Sequence, residues 1–202
     1  MTRLQVAVLV SGRGSNLQAL IDACATPGFP AEIKLVLSNM EGAYGLERAA
    51  KANIPAVTLP HKKFASREAF DDAMDEKLRE AGTEFVCLAG FMRLLSPSFA
   101  KRWEGRIVNI HPSLLPSFKG LHVHEQALAA GVRISGCTVH YVVPELDSGP
   151  AILQAAVAVE PSDTPDTLAA RVLEAEHRIY PEALRMVAEK RVRLENGRAV
   201  FA

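Results

Sequence analysis

An asparagine and a histidine stand two residues apart in Arg106-Ile107-Val108-Asn109-Ile110-His111, where an apolar run gives way to the proline-bounded loop Pro112-Ser113-Leu114-Leu115-Pro116. Strand alternation turns both side chains to the same face. The amide is a fixed donor and acceptor, whereas the imidazole changes charge near neutral pH. Together at the end of a strand they suit stabilising an oxyanion and moving a proton. Further on, Pro144-Glu145-Leu146-Asp147-Ser148-Gly149-Pro150 offers a carboxylate in a turn, able to orient and charge that histidine. Asn109, His111 and Asp147 form the candidate catalytic set. Each also has a plainer reading: a hydrogen-bonded structural histidine at a strand end, and an aspartate that only forms its turn. His140 reads more readily as a core histidine than as a partner of this set.

Two other stretches have chemical content. Ser11-Gly12-Arg13-Gly14-Ser15-Asn16 lies between an apolar run and an amphipathic one, so its small residues let backbone N–H groups approach an anion at a helix N-terminus. The dinucleotide fingerprint would place glycine at Leu17, and a P-loop would need a Gly-Lys pair; neither is present. A monophosphate is the ligand that remains, against the alternative of a plain tight turn. Ala89-Gly90-Phe91-Met92-Arg93-Leu94-Leu95 combines a glycine, an apolar run and one arginine. Its backbone could hydrogen-bond a flat heterocycle while apolar side chains cover the faces; the alternative is a core segment with a surface arginine. Arg67, beside Ser66, is either a solvated helix charge or a partner for a ligand carboxylate.

The elements that position these residues alternate strand and helix, which predicts an α/β fold with a mostly parallel twisted sheet and helices on both faces. Strands are expected over Leu4–Val10, Ile33–Ser38, Ile54–Leu59, Phe85–Ala89 and Arg106–Ile110. Helices are expected from the glycine turn to about Ala25, over Gly45–Ala52, from a Ser66 cap to Ala81, and over Pro97–Trp103. This first part has the Rossmann-like pattern. After it come a helix over His122–Ala130 and an antiparallel pair, Cys137–Val143 and Ala151–Val159. A long helix begins at Thr164, and Pro181 should bend or split it. Asn196-Gly197 signals a type I′ turn in a closing hairpin within Arg191–Phe201. Ligands on such sheets bind beyond the strand carboxyl ends, where the glycine turn, the loop after Ala89 and the His111 loop can face one cleft.

Length fits one domain over residues 1–202, with a phosphate-binding half to about 105 and a catalytic half from about 106. Acidic and basic residues balance at 23 each, so no bulk field favours nucleic acid or an anionic membrane. Leu4–Val10 is too short to span a bilayer and runs straight into a turn, which makes a cytoplasmic protein the expectation. Cys24, Cys87 and Cys137 read as buried free thiols. His122 and His124 could be a ligand pair, but they have no third partner, and no metal site is expected.

The four motifs, Ser-Gly-Arg-Gly-Ser-Asn, Ala-Gly-Phe-Met-Arg-Leu-Leu, Asn-Ile-His-Pro-Ser-Leu-Leu-Pro and Glu-Leu-Asp-Ser-Gly-Pro, together resemble the folate-dependent phosphoribosylglycinamide formyltransferases in kind and order. Glu176-His177-Arg178-Ile179-Tyr180-Pro181 extends the resemblance to nearly the whole chain. It implies transfer of a formyl group from 10-formyltetrahydrofolate, as co-substrate, to the amine of glycinamide ribonucleotide in purine synthesis, without a metal. Gly14, Ser15 and Asn16 would hold the ribose phosphate and Glu176 would lie near the glycinamide end. Arg67, Met92, Arg93, Leu94, Leu95 and Asn109 would hold the folate. A monomer or a homodimer would serve.

Within the same superfamily, a methionyl-tRNA formyltransferase should add a basic domain and a formyltetrahydrofolate hydrolase a regulatory one, and this chain shows neither. An NAD-dependent oxidoreductase would need an acid at the end of the second strand, where Ser38-Asn39 stands, with Glu41 as a late candidate. A non-catalytic nucleotide-binding module would bind ligand without His111 and turn nothing over.

Overall fold

The computed structural model describes residues 2–202. Its strands are β1 (Leu4–Val10), β2 (Ala31–Ser38), β3 (Ala56–Thr58), β4 (Phe85–Leu88), β5 (Ile107–His111), β6 (Ile134–Tyr141) and β7 (Ala151–Ala158). They form one seven-stranded sheet in the order β3-β2-β1-β4-β5-β6-β7. Pairing is parallel from β3 to β5 and antiparallel for β5–β6 and β6–β7. The helices are α1 (Ser15–Ala25), α2 (Tyr44–Lys51), α3 (Arg67–Glu80), α4 (Pro97–Arg102), α5 (Val123–Ala129) and α6 (Pro165–Ala188). A separate hairpin, β8 (Val192–Glu195) and β9 (Arg198–Phe201), closes the chain.

β1 is apolar on both sides because it is covered on both sides, as a central parallel strand must be. Val6, Val8 and Val10 pack with Leu17 and Leu20 of α1 and with Leu168, Val172 and Ile179 of α6. Ala7 and Leu9 face the other way, toward Phe70, Met74 and Leu78 of α3 and Phe99 and Trp103 at α4. The same alternation runs through β5. Val108 and Ile110 enter the first core, so Asn109 and His111 project from the α3–α4 face.

Register lines these strands up at their carboxyl ends. Leu37, Leu9, Leu88, Asn109 and His140 are successive partners in one row across the sheet. The two residues beyond Leu9 are Val10 and Ser11, so the glycine turn opens just past the row that holds Asn109.

Some boundaries differ from those the sequence suggests. β3 is confined to Ala56–Thr58 because Pro55 and Pro60, which bound it, donate no ladder hydrogen bond. β6 begins three residues before Cys137, running through Gly136, whose φ of 155° brings its Cα against the Ala155 carbonyl of β7. A single 3-10 turn, His61–Lys63, had no sequence signal. Pro181 does not split α6, which runs unbroken from Pro165 to Ala188. A proline removes one N–H from the helical ladder; here Ile179, Tyr180, Ala183 and Leu184 on either side of it are all buried against the sheet and hold the turn together. In the hairpin, Asn196 and Gly197 both have positive φ, 50° and 72°, as the type I′ turn requires.

The β6–β7 connection folds back over its own strand. A Cβ on Gly149 would stand 1.7 Å from the Tyr141 carbonyl oxygen and 3.5 Å from His140 Nδ1, so only glycine permits this approach. Gly149→Ala is therefore expected to destabilise the fold by about 2–3 kcal/mol, the overpacking range, as a lowered urea midpoint.

Candidate active site

Three side chains from separate segments meet at the end of β5. The carboxylate of Asp147, in the β6–β7 turn, has Oδ2 3.5 Å from His111 Nδ1 and Oδ1 3.9 Å from His140 Nε2. All three side chains are nearly closed to solvent, with 3–7% exposed. Asp147 Oδ2 also accepts from the Gly120 N–H at 2.9 Å. The carboxylate is thus held from one side by the loop that follows β5.

Hydrogen bonding assigns the protons on the two rings. His140 Nδ1 lies 2.9 Å from the Tyr141 carbonyl, which can only accept, so Nδ1 carries the proton and Nε2 is free to accept. Asn109 Nδ2 donates to that Nε2 at 3.3 Å, which fixes the amide and leaves its second N–H for a ligand. Burial holds the His140 ring below the usual histidine range and keeps it neutral, outweighing the Tyr141 carbonyl and the Asp147 charge. His111 Nε2 donates to Phe118 O at 2.9 Å, so it too bears a hydrogen. His140 is therefore part of this site and not only a core residue. Its signal lay in strand alternation: Thr138 and His140 share a face of β6, opposite His111 and Asn109 in the register.

Thr138 is the anchor of the loop. Its fully buried hydroxyl donates to Ser113 O at 2.7 Å and accepts from Leu115 N and Gln154 Nε2, each at 3.0 Å. Ser113 Oγ donates to Ser117 O at 2.6 Å. These bonds carry the chain from His111 to Phe118 and back over the ring. Lys119 Nζ, donating to Ser148 Oγ at 2.5 Å, joins this loop to the Asp147 turn.

The glycine turn forms the second part. Gly14 caps α1 with φ 67°, and a Cβ there would stand 2.8 Å from Gly45 Cα of α2. Gly45 N–H donates to Gly12 O, and Arg48 Nε to Arg13 O. The turn is thereby clamped against α2. Residues Ser11 to Asn16 and Ala89, Gly90 and Met92 line a cleft of about 230 Å³. A larger open groove of about 600 Å³ runs between α1 and α6 and touches the turn only at Ser15; it lies away from Asn109 and His111.

Asn16 is buried, and its Nδ2 donates to Glu176 Oε2 of α6 at 2.7 Å, while its Oδ1 is buried with no partner among the described residues. Burial pushes the Glu176 carboxyl up to about 7, against the opposing pull of the Asn16 hydrogen bond. Gly14, Ser15, Asn16 and Glu176 thus come together at one place.

The segment after β4 lies beside the turn. Met92 and Leu94 are exposed, while Arg93 and Leu95 are half-buried. The Arg93 guanidinium lies 5.5 Å above the Phe70 ring. Asp71 of α3 holds the segment's far end by accepting from Ser96 N at 2.6 Å. Arg67 stands exposed at the start of α3 and shares no hydrogen bond or ion pair with Asn109, His111 or Asp147 among the described residues. His122 faces Glu125 at 3.5 Å, and no group of three or more His, Cys, Asp or Glu is placed to hold a metal among the described residues. The three cysteines are buried and free. No helix among the described residues is long and apolar enough to cross a membrane.

Residues 4–184 match the family model described as formyl transferase, and the chain belongs to that family. Within it, the phosphoribosylglycinamide formyltransferase of Escherichia coli is 46% identical over 196 residues, covering 97% of this chain and 92% of that protein. The glycinamide ribonucleotide transformylase 1 of Symbiobacterium toebii superposes with a TM-score of 0.95 at 47% identity, over 98% of this chain and 94% of that one. The trifunctional purine biosynthetic protein adenosine-3 of Bos taurus is 55% identical over 97% of this chain, which spans only 20% of that protein's length.

Glu176 gives a pH prediction. The folded pKa lies above the unfolded one, so the native state holds a proton that the unfolded chain releases, and stability falls as pH rises from about 4.5 to about 7. Glu176→Gln should remove this loss. The variant's stability advantage should grow across that window to roughly 3 kcal/mol and stay level above it, read from urea midpoints against pH.

Proposed function

We infer that this chain is a phosphoribosylglycinamide formyltransferase, moving the formyl group of 10-formyltetrahydrofolate to the amine of glycinamide ribonucleotide in purine synthesis. The observation that carries this is spatial: Asn109 stands two strands away from the glycine turn, in the row that runs through Leu9, with His111 two residues beyond it and Asp147 3.5 Å from the His111 ring. Two strand spacings make about 10 Å, roughly the reach of a sugar phosphate bearing a short amino amide.

Gly14, Ser15 and Asn16 hold the phosphate with their backbone N–H groups at the α1 N-terminus. Asn16 Oδ1, buried and unpartnered, offers an acceptor to the ligand, with Glu176 beside it. The donor's flat ring lies along the backbone of Met92 to Leu95 between apolar side chains, and Arg67 takes a carboxylate at its outer end.

The acceptor nitrogen, neutral, attacks the formyl carbon, and negative charge grows on the formyl oxygen. The free Asn109 N–H meets that charge. So does the Nε2–H of His111, once the entering formyl group displaces Phe118 O. Asp147 supports a charged His111 ring. As the tetrahedral adduct collapses, the bond to the folate nitrogen breaks and that nitrogen gains a proton. The acceptor nitrogen loses one, and His111 or a water beside Asp147 carries it. Formylated acceptor and tetrahydrofolate leave; no side chain is acylated.

Incubation with both substrates should release tetrahydrofolate only when glycinamide ribonucleotide is present. Release without acceptor would mark a hydrolase, and no release would mark a binding module; either outcome refutes the proposal. Asp147→Asn should lower kcat by about 100-fold or more while the acceptor KM changes little. Unchanged turnover in a folded variant would remove the carboxylate from the mechanism.

A further inference from the structure

One side chain belongs to both halves of the cleft. Ser11 is the first residue of the glycine turn, and Met92 is the first of the segment assigned to the folate. Ser11 Oγ accepts from the Met92 N–H at 2.7 Å and donates to Asn39 Oδ1 at 2.5 Å, while Ser11 N–H donates to Gly90 O at 3.1 Å. A single hydroxyl therefore uses its proton and a lone pair to tie three strand ends, those of β1, β2 and β4, into one unit.

The tie is itself braced from behind. Asn39 is 2% exposed, and its Nδ2 lies 3.1 Å from His61 Nδ1 in the 3-10 turn. Oδ1 is taken by Ser11, and His61 Nδ1, which lies 3.1 Å from the Asn39 backbone carbonyl as well, accepts from Nδ2 or donates to that carbonyl according to its tautomer; either bond ties Asn39 to the 3-10 turn. In the Met92 segment, Phe91 stacks on Phe70 and Arg93 lies over the same ring, whereas the Met92 side chain is 66% exposed and Gly90 before it has φ 71°. Packing on Phe70 thus holds the segment to α3, while the Ser11 hydroxyl ties the Met92 backbone to the glycine turn.

We propose that Ser11 is a positioning residue that registers the donor segment against the acceptor turn, fixing the distance across which the formyl group moves. This rests on the function inferred above. Removing the hydroxyl leaves the Met92 N–H and Asn39 Oδ1 without their partner; the Ser11 N–H to Gly90 O bond remains, but it no longer fixes Met92 itself against the turn. A displacement of about 1 Å between reacting atoms costs roughly 100-fold in rate.

The test varies both substrates in steady state for the wild-type protein, Ser11→Ala and Ser11→Thr. Ser11→Ala should lose about 10- to 100-fold in kcat with both substrates saturating, while Ser11→Thr, which keeps the hydroxyl, stays within about threefold of wild type. A residue that only shapes the turn would raise the acceptor KM alone, and one that only shapes the folate segment would raise the donor KM alone. Either pattern with kcat retained overturns the proposal, as does Ser11→Thr failing to restore turnover. Should Ser11→Ala unfold, Ser11→Cys takes its place, since a thiol of similar size donates and accepts weakly; full kcat there would equally defeat the proposal. An inactive wild-type protein would instead refute the function, whereas an active one with unimpaired Ser11→Ala refutes only this inference.

Discussion

Antiparallel pairing of β5 with β6 puts Asn109 opposite His140 and His111 opposite Thr138, and the chemistry of the molecule hangs on that register. A slip of β6 by one residue would turn Thr138 and His140 to the other face and into the core shared with α6, away from Asn109 and His111. The four residues divide the labour. His140, neutral and tied to the Tyr141 carbonyl, orients the Asn109 amide. Thr138 pins the loop whose carbonyl meets His111. β6 therefore acts as a template on which β5 is laid, and the parallel strands on the other side carry the glycine turn to which the phosphate is assigned.

The two acids of this cleft have different partners. Asp147 accepts a backbone N–H and faces two imidazoles. Glu176 has only the Asn16 amide against the cost of desolvation, and its carboxyl is pushed up toward neutrality. With the phosphate placed at the turn as proposed, a carboxyl poised there puts no full negative charge beside a dianion, and the low-dielectric wall of α6 is what keeps it so.

Much of this was legible from local pattern. Strand alternation paired Asn109 with His111, the Pro/Asp/Gly turn marked Asp147, and small residues between a strand and a helix marked Gly14 to Asn16. What escaped was long-range. His140 joins Asn109 across 31 positions and Met92 joins Ser11 across 81, separations at which one sequence holds no register information. Propensity also lost to packing. Pro181 sits inside an intact helix because its neighbours are buried, and Gly136 lies within a strand because only glycine lets β7 come so close.

The contact of Gly14 with Gly45 bears on what counts as the anion-binding motif. Six consecutive residues look self-sufficient on paper, yet their floor is a glycine from the next helix: a Cβ on Gly14 would stand 2.8 Å from Gly45 Cα, and one on Gly45 would press on Val10 at 3.0 Å. Grafting the hexapeptide onto a foreign strand–helix unit would carry over the letters without the shape. A search for the same cradle in unrelated chains should ask for a seventh residue, small and about thirty positions downstream.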